Sequence, residues 1–280
     1  MHVAEMDFEV ASGIRKTLVK MINESDLGYL GPIPEVGEAF SKYAAKRWQW
    51  HVDAHQVKLA TDVGVAAVEI FRALVKPGDK IIVTSPVYTN FWTWIPEVHA
   101  EVLDVPLDRA RGWRLDVDAI DKAFAGGAKV LLLCNPQNPV GTVHTREELT
   151  AIAASARKHG AVVVSDEIHA PLTYAETEFV PFLTCGPDAE KVGICITSSS
   201  KSWNTAGLKA AIVVTKSDEM LHLVAKLPEA MHWRASLLGA FAMAESFDRS
   251  AGWVDEVVEA LDENRHHLLA EIAAKLPKVK

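Results

Sequence analysis

AVVVSDE, residues 161–167, decides how the chain is read. A short, unbroken apolar run rich in valine is too brief for a helix, and its lack of alternation argues for a strand buried on both faces. The acid that closes it, Asp166, follows directly on VVVS. Four further runs have the same form: KIIVTSP (80–86), KVLLLCNP (129–136), VGICITSSS (192–200) and AAIVVTK (210–216). Each ends in a polar or Pro-containing turn. Between them, VGVAAVEIFRALV (63–75), TREELTAIAASARKH (145–159) and LLGAFAMAESF (237–247) read as helices. Thr145 with Glu148 makes a capping-box start, and Gly160 a stop. The alternation predicts an α/β fold, a mainly parallel sheet with helices on both faces. WVDEVVEALDENRHHLLAEIAAKL (253–276) reads as one long amphipathic helix with no strand after it.

Composition narrows the function classes. With 280 residues, 49% hydrophobic and 24% charged, the chain can bury a core without disulfide or metal staples. A formal net charge of -8 and the lack of a basic cluster argue against a nucleic-acid groove. Of the three cysteines, Cys134 and Cys195 sit in apolar runs and read, with Cys185, as buried thiols. MHVAEMDFEVA at the N-terminus has no basic region followed by an apolar stretch, and no run approaches the ~20 residues that span a bilayer. These features predict a soluble, cytoplasmic protein.

In an open parallel sheet, ligands sit beyond the carboxyl ends of the strands. The residues there are Tyr88, the NPQNPVG loop with Asn138, Asp166, and Ser198 to Lys201. A lone loop lysine is most often a solvated one. SSSK also matches the S-x-x-K nucleophile motif, yet that motif opens a helix and has S-D-N and K-T-G companions that are missing here. An amine placed for imine chemistry with a carbonyl cofactor fits better. The neighbouring serines and Lys209 could then hold a phosphate. Asp166 is either a helix cap or a partner for a buried cation, such as a protonated pyridine nitrogen. His169 is an ordinary turn histidine or faces a phenolic oxygen. Asn138 is turn chemistry or a cofactor ligand, and Tyr88 is core or stacks on a flat ring. Thr61-Asp62-Val63-Gly64 opens a helix whose free Val63 and Gly64 N–H groups could face an anion. Plain capping explains that segment equally well, and Asp62 is an awkward neighbour for phosphate. His51 and His55 lack further ligands at suitable spacing, so no metal is expected. Trp48, Trp50, Trp92 and Trp94 read as packing groups or the lining of a mouth.

VAEMDF (3–8), LGYLG (27–31), SPVYTNF (85–91), CNPQNPVG (134–141), SDEIHA (165–170) and TSSSKSWNTAGLK (197–209) together resemble the fold-type I pyridoxal-phosphate enzymes of the class I/II aminotransferase superfamily. The match is closer to the MalY/PatB group of carbon-sulfur β-lyases, the cystathionine β-lyases. That resemblance implies a seven-stranded, mainly parallel sheet, with residues 28–247 as the large cofactor-binding domain. Residues 1–27 and 248–280 would be remnants of a small domain whose C-terminal part is largely missing. It implies that Lys201 anchors the cofactor as an imine and shuttles the substrate's α-proton, that Asp166 pairs with the pyridine nitrogen, and that Tyr88 stacks on the ring. Asn138 and His169 would face the phenolic oxygen. Ser198, Ser200, Lys209 and the Val63-Gly64 amides would hold the phosphate. Tyr29 would reach the neighbouring subunit's phosphate, which implies a homodimer acting on a small amino acid, with no nucleic-acid or membrane partner. Lysine stands at 209 where relatives commonly have arginine, and histidine at 169 where many aminotransferases have tyrosine. The arginine that grips the substrate carboxylate lies, in the family, beyond the long helix.

The expected activity is β-elimination of a cystathionine-like amino acid. An aminotransferase on the same scaffold is the second expectation. A short, weakly active cofactor-binding or regulatory protein is the third.

Overall fold

The computed structural model describes residues 5–276 and 278, so Val3 and Ala4 of the VAEMDF motif lie outside the described residues. Seven strands form one sheet: β1 (Val57–Ala60), β2 (Lys80–Val83), β3 (Glu101–Asp104), β4 (Val130–Cys134), β5 (Val162–Asp166), β6 (Gly193–Thr197) and β7 (Ala211–Thr215). Their spatial order is β1-β7-β6-β5-β4-β2-β3. β7 runs antiparallel to both its neighbours, and every other pairing is parallel. The five apolar runs form β2, β4, β5, β6 and β7. The two edge strands, VKLA and EVLD, carry charged residues and leave part of their length exposed, so they lack the unbroken apolar signature.

Strand pleating divides the sheet's side chains between two cores. Ile82, Leu131, Leu133, Val163, Cys195, Ile212 and Val214 enter one. Ile81, Val83, Val130, Leu132, Val164, Ile194, Ile196 and Val213 enter the other. Helix Val63–Leu74 covers the second face through Ala66, Ala67, Ile70 and Phe71. Helices Pro34–Trp48, Arg146–His159 and Leu237–Phe247 cover the first. The double coverage explains why the strands read as continuous apolar runs. Thr145 and Glu148 form the expected reciprocal capping box, and Gly160 closes that helix at φ 65°. The long C-terminal helix spans Ala251–Lys275.

An aromatic cluster on the first face fixes the chain after β6. The Trp203 ring is fully buried and lies 5.4 Å from Phe247 and 5.7 Å from Tyr43, while Phe40 packs 5.2 Å from Phe247. Trp203 also donates its Nε1–H to the Ser250 carbonyl at 2.9 Å. All three cysteines are buried and unbridged. Among the described residues, no helix is long and apolar enough to cross a membrane.

Candidate active site

β1, β2, β4, β5 and β6 run parallel, so their carboxyl ends meet at one edge of the sheet. From that edge come Asp62, Tyr88, Asn138, Asp166 and the 198–201 turn. In register, Asp166 stands between Cys134 of β4 and Ile196 of β6.

Asp166 is the electrostatic centre of this edge. Its carboxylate is buried and accepts the Ile168 N–H at 3.2 Å. Burial pushes its acid up to about 7, against the opposing pull of that N–H and of the Lys201 ammonium. Lys201, half-buried in the turn after β6, also bears on His169. Burial first, and the lysine's charge second, lower that imidazole to about 4, so His169 is neutral near pH 7. Lys201, Asp166 and His169 therefore share one microenvironment.

Tyr88 forms the wall toward the second core. Its ring meets Phe91 and Trp94 edge-on, with centroids 6.2 and 5.9 Å away, and its hydroxyl accepts from Asn90 Nδ2 at 2.9 Å. Burial raises the phenol's pKa, and the charges of Asp166 and Asp62 raise it further. The tyrosine thus feels both carboxylates. Asn138 and His169 line one cleft of about 660 Å³, together with Thr173, Tyr174 and Thr177.

Val63, Gly64 and Lys209 meet at the start of helix Val63–Leu74. Asp62 caps it by accepting the Val65 N–H at 2.8 Å, which leaves the first-turn donors of Val63 and Gly64 without intrahelical partners. A Cβ at Gly64 would stand 2.9 Å from the Trp94 ring, so only glycine lets the turn approach so closely. Lys209 Nζ lies 3.5 Å from the Asp62 carboxylate. Ser198 Oγ donates to the Ala210 carbonyl at 2.6 Å and accepts the Ser200 N–H at 3.0 Å, so its hydroxyl proton is directed at backbone. Tyr29 stands apart from this cluster, with its side chain fully exposed.

Three supporting contacts escaped the sequence reading. Gln137, buried in the NPQNPVG loop, donates its amide to the carbonyls of Thr84 and Pro86, both at 2.9 Å, and so ties the Tyr88 loop to the Asn138 loop. Asn204 brackets Met6, donating to its carbonyl at 2.8 Å and accepting its N–H at 3.2 Å. Glu167 points away from the site, accepting from Ser165 Oγ and the Phe182 N–H at 2.9 and 2.8 Å. The αL conformation of Asn204, φ 55°, is common for asparagine in turns, but nothing local in the sequence signals its partner.

The family model for aminotransferase class I and II matches residues 5–279. A Mycobacterium tuberculosis protein provisionally described as a cystathionine beta-lyase is 38% identical over 290 residues, covering 100% of this chain and 70% of its own length. Cystathionine beta-lyase PatB of Bacillus subtilis is 27% identical over 283 residues, which cover 100% of this chain and 73% of PatB. Among solved structures, cystalysin from Treponema denticola, described as containing pyridoxal 5'-phosphate, superposes with a TM-score of 0.93 at 27% identity. That match covers 99% of this chain and 71% of cystalysin.

Proposed function

The chain belongs to the class I and II aminotransferase family, and on that premise we propose that it is a pyridoxal-phosphate-dependent carbon-sulfur β-lyase acting on cystathionine-like amino acids. The observation that carries the reading is the buried Asp166 carboxylate within electrostatic reach of the Lys201 amine. A carboxylate so placed, with a single backbone N–H bonded to its side chain among the described residues, is suited to a cationic ring nitrogen. The unpartnered first-turn donors at Val63 and Gly64, with Lys209 beside them, suit a phosphate. The donor set therefore fits the cofactor.

When bound, pyridoxal phosphate supplies an aldehyde that engages amines and a ring that accepts electrons. Lys201 would hold the cofactor through that aldehyde and, once the substrate's own amino group has displaced it, its free Nζ would take the proton from the substrate's α-carbon and return it. Asp166 holds the ring nitrogen protonated. Its burial makes that charge pair stronger than it would be in water. His169, neutral at pH 7, and Asn138 would hydrogen-bond the cofactor's phenolic oxygen without adding a charge. Tyr88 would stack on the ring, and Ser200, Lys209 and the Val63-Gly64 amides would hold the phosphate, while Ser198, whose proton is given to the Ala210 carbonyl, would act by fixing the Ser200 turn. Overall, the C–S bond breaks, water is consumed, and a thiol, pyruvate and ammonia leave. Tyr29 extends to the site of a second subunit in a homodimer, a role its full exposure supports.

Absorbance of the cofactor-loaded protein tests the chemistry: a band near the visible edge is expected, and Lys201→Ala should lose it. Incubation with L-cystathionine should then release pyruvate, ammonia and thiol in equal amounts. Transfer of the amino group to a 2-oxo acid, with no thiol released, would assign the aminotransferase activity instead.

A further inference from the structure

Asp62 stands where a phosphate cradle has least use for a carboxylate. One of its oxygens, Oδ1, accepts the Val65 N–H at 2.8 Å, and the other, Oδ2, lies 3.5 Å from Lys209 Nζ. A single side chain therefore holds the lysine assigned to phosphate above and caps the helix start one residue beyond the free Val63 and Gly64 donors. The Asp62 charge also reaches inward, because it adds to the upward push on the Tyr88 phenol. Lys209 is anchored by its main chain in the left-handed region, φ 52°, with its carbonyl accepting the Ser236 N–H at 3.0 Å. Its ammonium end remains free to change partners, since the lysine and aspartate side chains are 59% and 37% exposed. Ion pairs in such settings are weak and readily exchanged.

We propose that Asp62 is a built-in competitor for the cofactor's phosphate, a residue that sets how tightly the phosphorylated aldehyde is held. It occupies Lys209 until a phosphate displaces it, and afterwards remains as a like charge beside that phosphate. Affinity for the phosphorylated cofactor is then lower than the cradle's donors alone would give. The penalty is specific to the phosphate. An aldehyde without that group escapes it. This inference rests on the cofactor reading of the site.

Asp62→Asn isolates the charge, because asparagine caps helices as well as aspartate does. Cofactor-free protein and variant are titrated with pyridoxal phosphate and, separately, with pyridoxal, following the absorbance of the bound aldehyde. The variant should bind the phosphorylated form roughly three- to tenfold more tightly, and pyridoxal within about twofold of the parent. The gain should shrink as salt screens the repulsion. Circular dichroism checks that the helix start survives, and Asp62→Ser, which caps through its hydroxyl, gives the same comparison if the asparagine variant does not fold. Equal tightening for both aldehydes, or no gain for the phosphorylated one, overturns the proposal. No bound-aldehyde band in the parent overturns the cofactor reading and this inference with it. A band without a phosphate-specific gain overturns this inference alone.

Discussion

Asp166 and Glu167 are adjacent in sequence and face opposite cores of the sheet. Both are buried carboxylates, and burial pushes both acids up to about 7. What differs is their company. Glu167 is surrounded by donors: Ser165 Oγ and the Phe182 N–H reach Oε1, and Cys195 Sγ reaches Oε2 at 3.4 Å. Asp166 has one backbone N–H, with the Lys201 charge nearby. Glu167 is answered by the fold itself, whereas Asp166 keeps acceptor capacity that the proposed cofactor would use. A buried acid whose partners are complete is architecture, and one whose partners are incomplete marks where chemistry is to be done.

Under the proposed function, the comparison breaks most decisively at Lys201 and Asp166. Lys201→Ala should cut turnover by roughly 10²–10⁴ through loss of proton transfer alone. Asp166→Asn should cost at least about 10² in kcat while leaving the cofactor-free protein at least as stable near neutral pH, because a poorly compensated buried charge is removed. Steady-state kinetics beside urea unfolding separates the two. Next in size is Trp203→Ala, which empties the packing under the Lys201 turn and should cost about 3–5 kcal/mol in unfolding free energy. Glu167→Gln should cost about 1–3 kcal/mol, because an amide cannot accept from all three donors, yet turnover per folded molecule should stay within about twofold. A Glu167→Gln variant that loses more turnover than Asp166→Asn would invert the assignment of roles.

The last effect lies in pH dependence. Folded-state acids raised to about 7 favour their neutral forms. Their contribution to stability is fully present below the ordinary carboxylate range near pH 4 and is lost as pH rises through about 7. His144 and His169 are depressed to about 4 by burial and act in the opposite sense, contributing above about 6.5 and losing that contribution as pH falls through about 4. The informative quantity is therefore a difference between proteins. Between pH 5.5 and 8, cofactor-free Asp166→Asn should lose about 2 kcal/mol less stability than the parent. Cofactor binding should shrink that gap by giving Asp166 a cation. Unfolding curves at the two pH values check both statements.

The central strands were legible because each is buried on two faces and announces itself as an unbroken apolar run, with the polar residue at its end pointing to the site. The Thr145–Glu148 cap was legible because its partners lie one helical turn apart. β1 and β3 were not, because edge strands make no such demand on composition. Nor were the contacts that rigidify the site. Gln137 reaches Thr84 across 53 residues, and Asn204 meets Met6 across 198. Such pairs are chosen by the fold, and each partner alone is an ordinary turn residue. The Asp62–Lys209 pair lay between these cases: both residues were picked out, one as an intruder and one as a phosphate holder, but only coordinates bring them to 3.5 Å.

The bracket between Asn204 and Met6 has a practical corollary for handling the protein. Two hydrogen bonds fasten the segment at Met6 to the turn that carries Lys201, so under the proposed function that segment would splint the amine. Constraining the same segment offers a handle on the amine from outside the pocket.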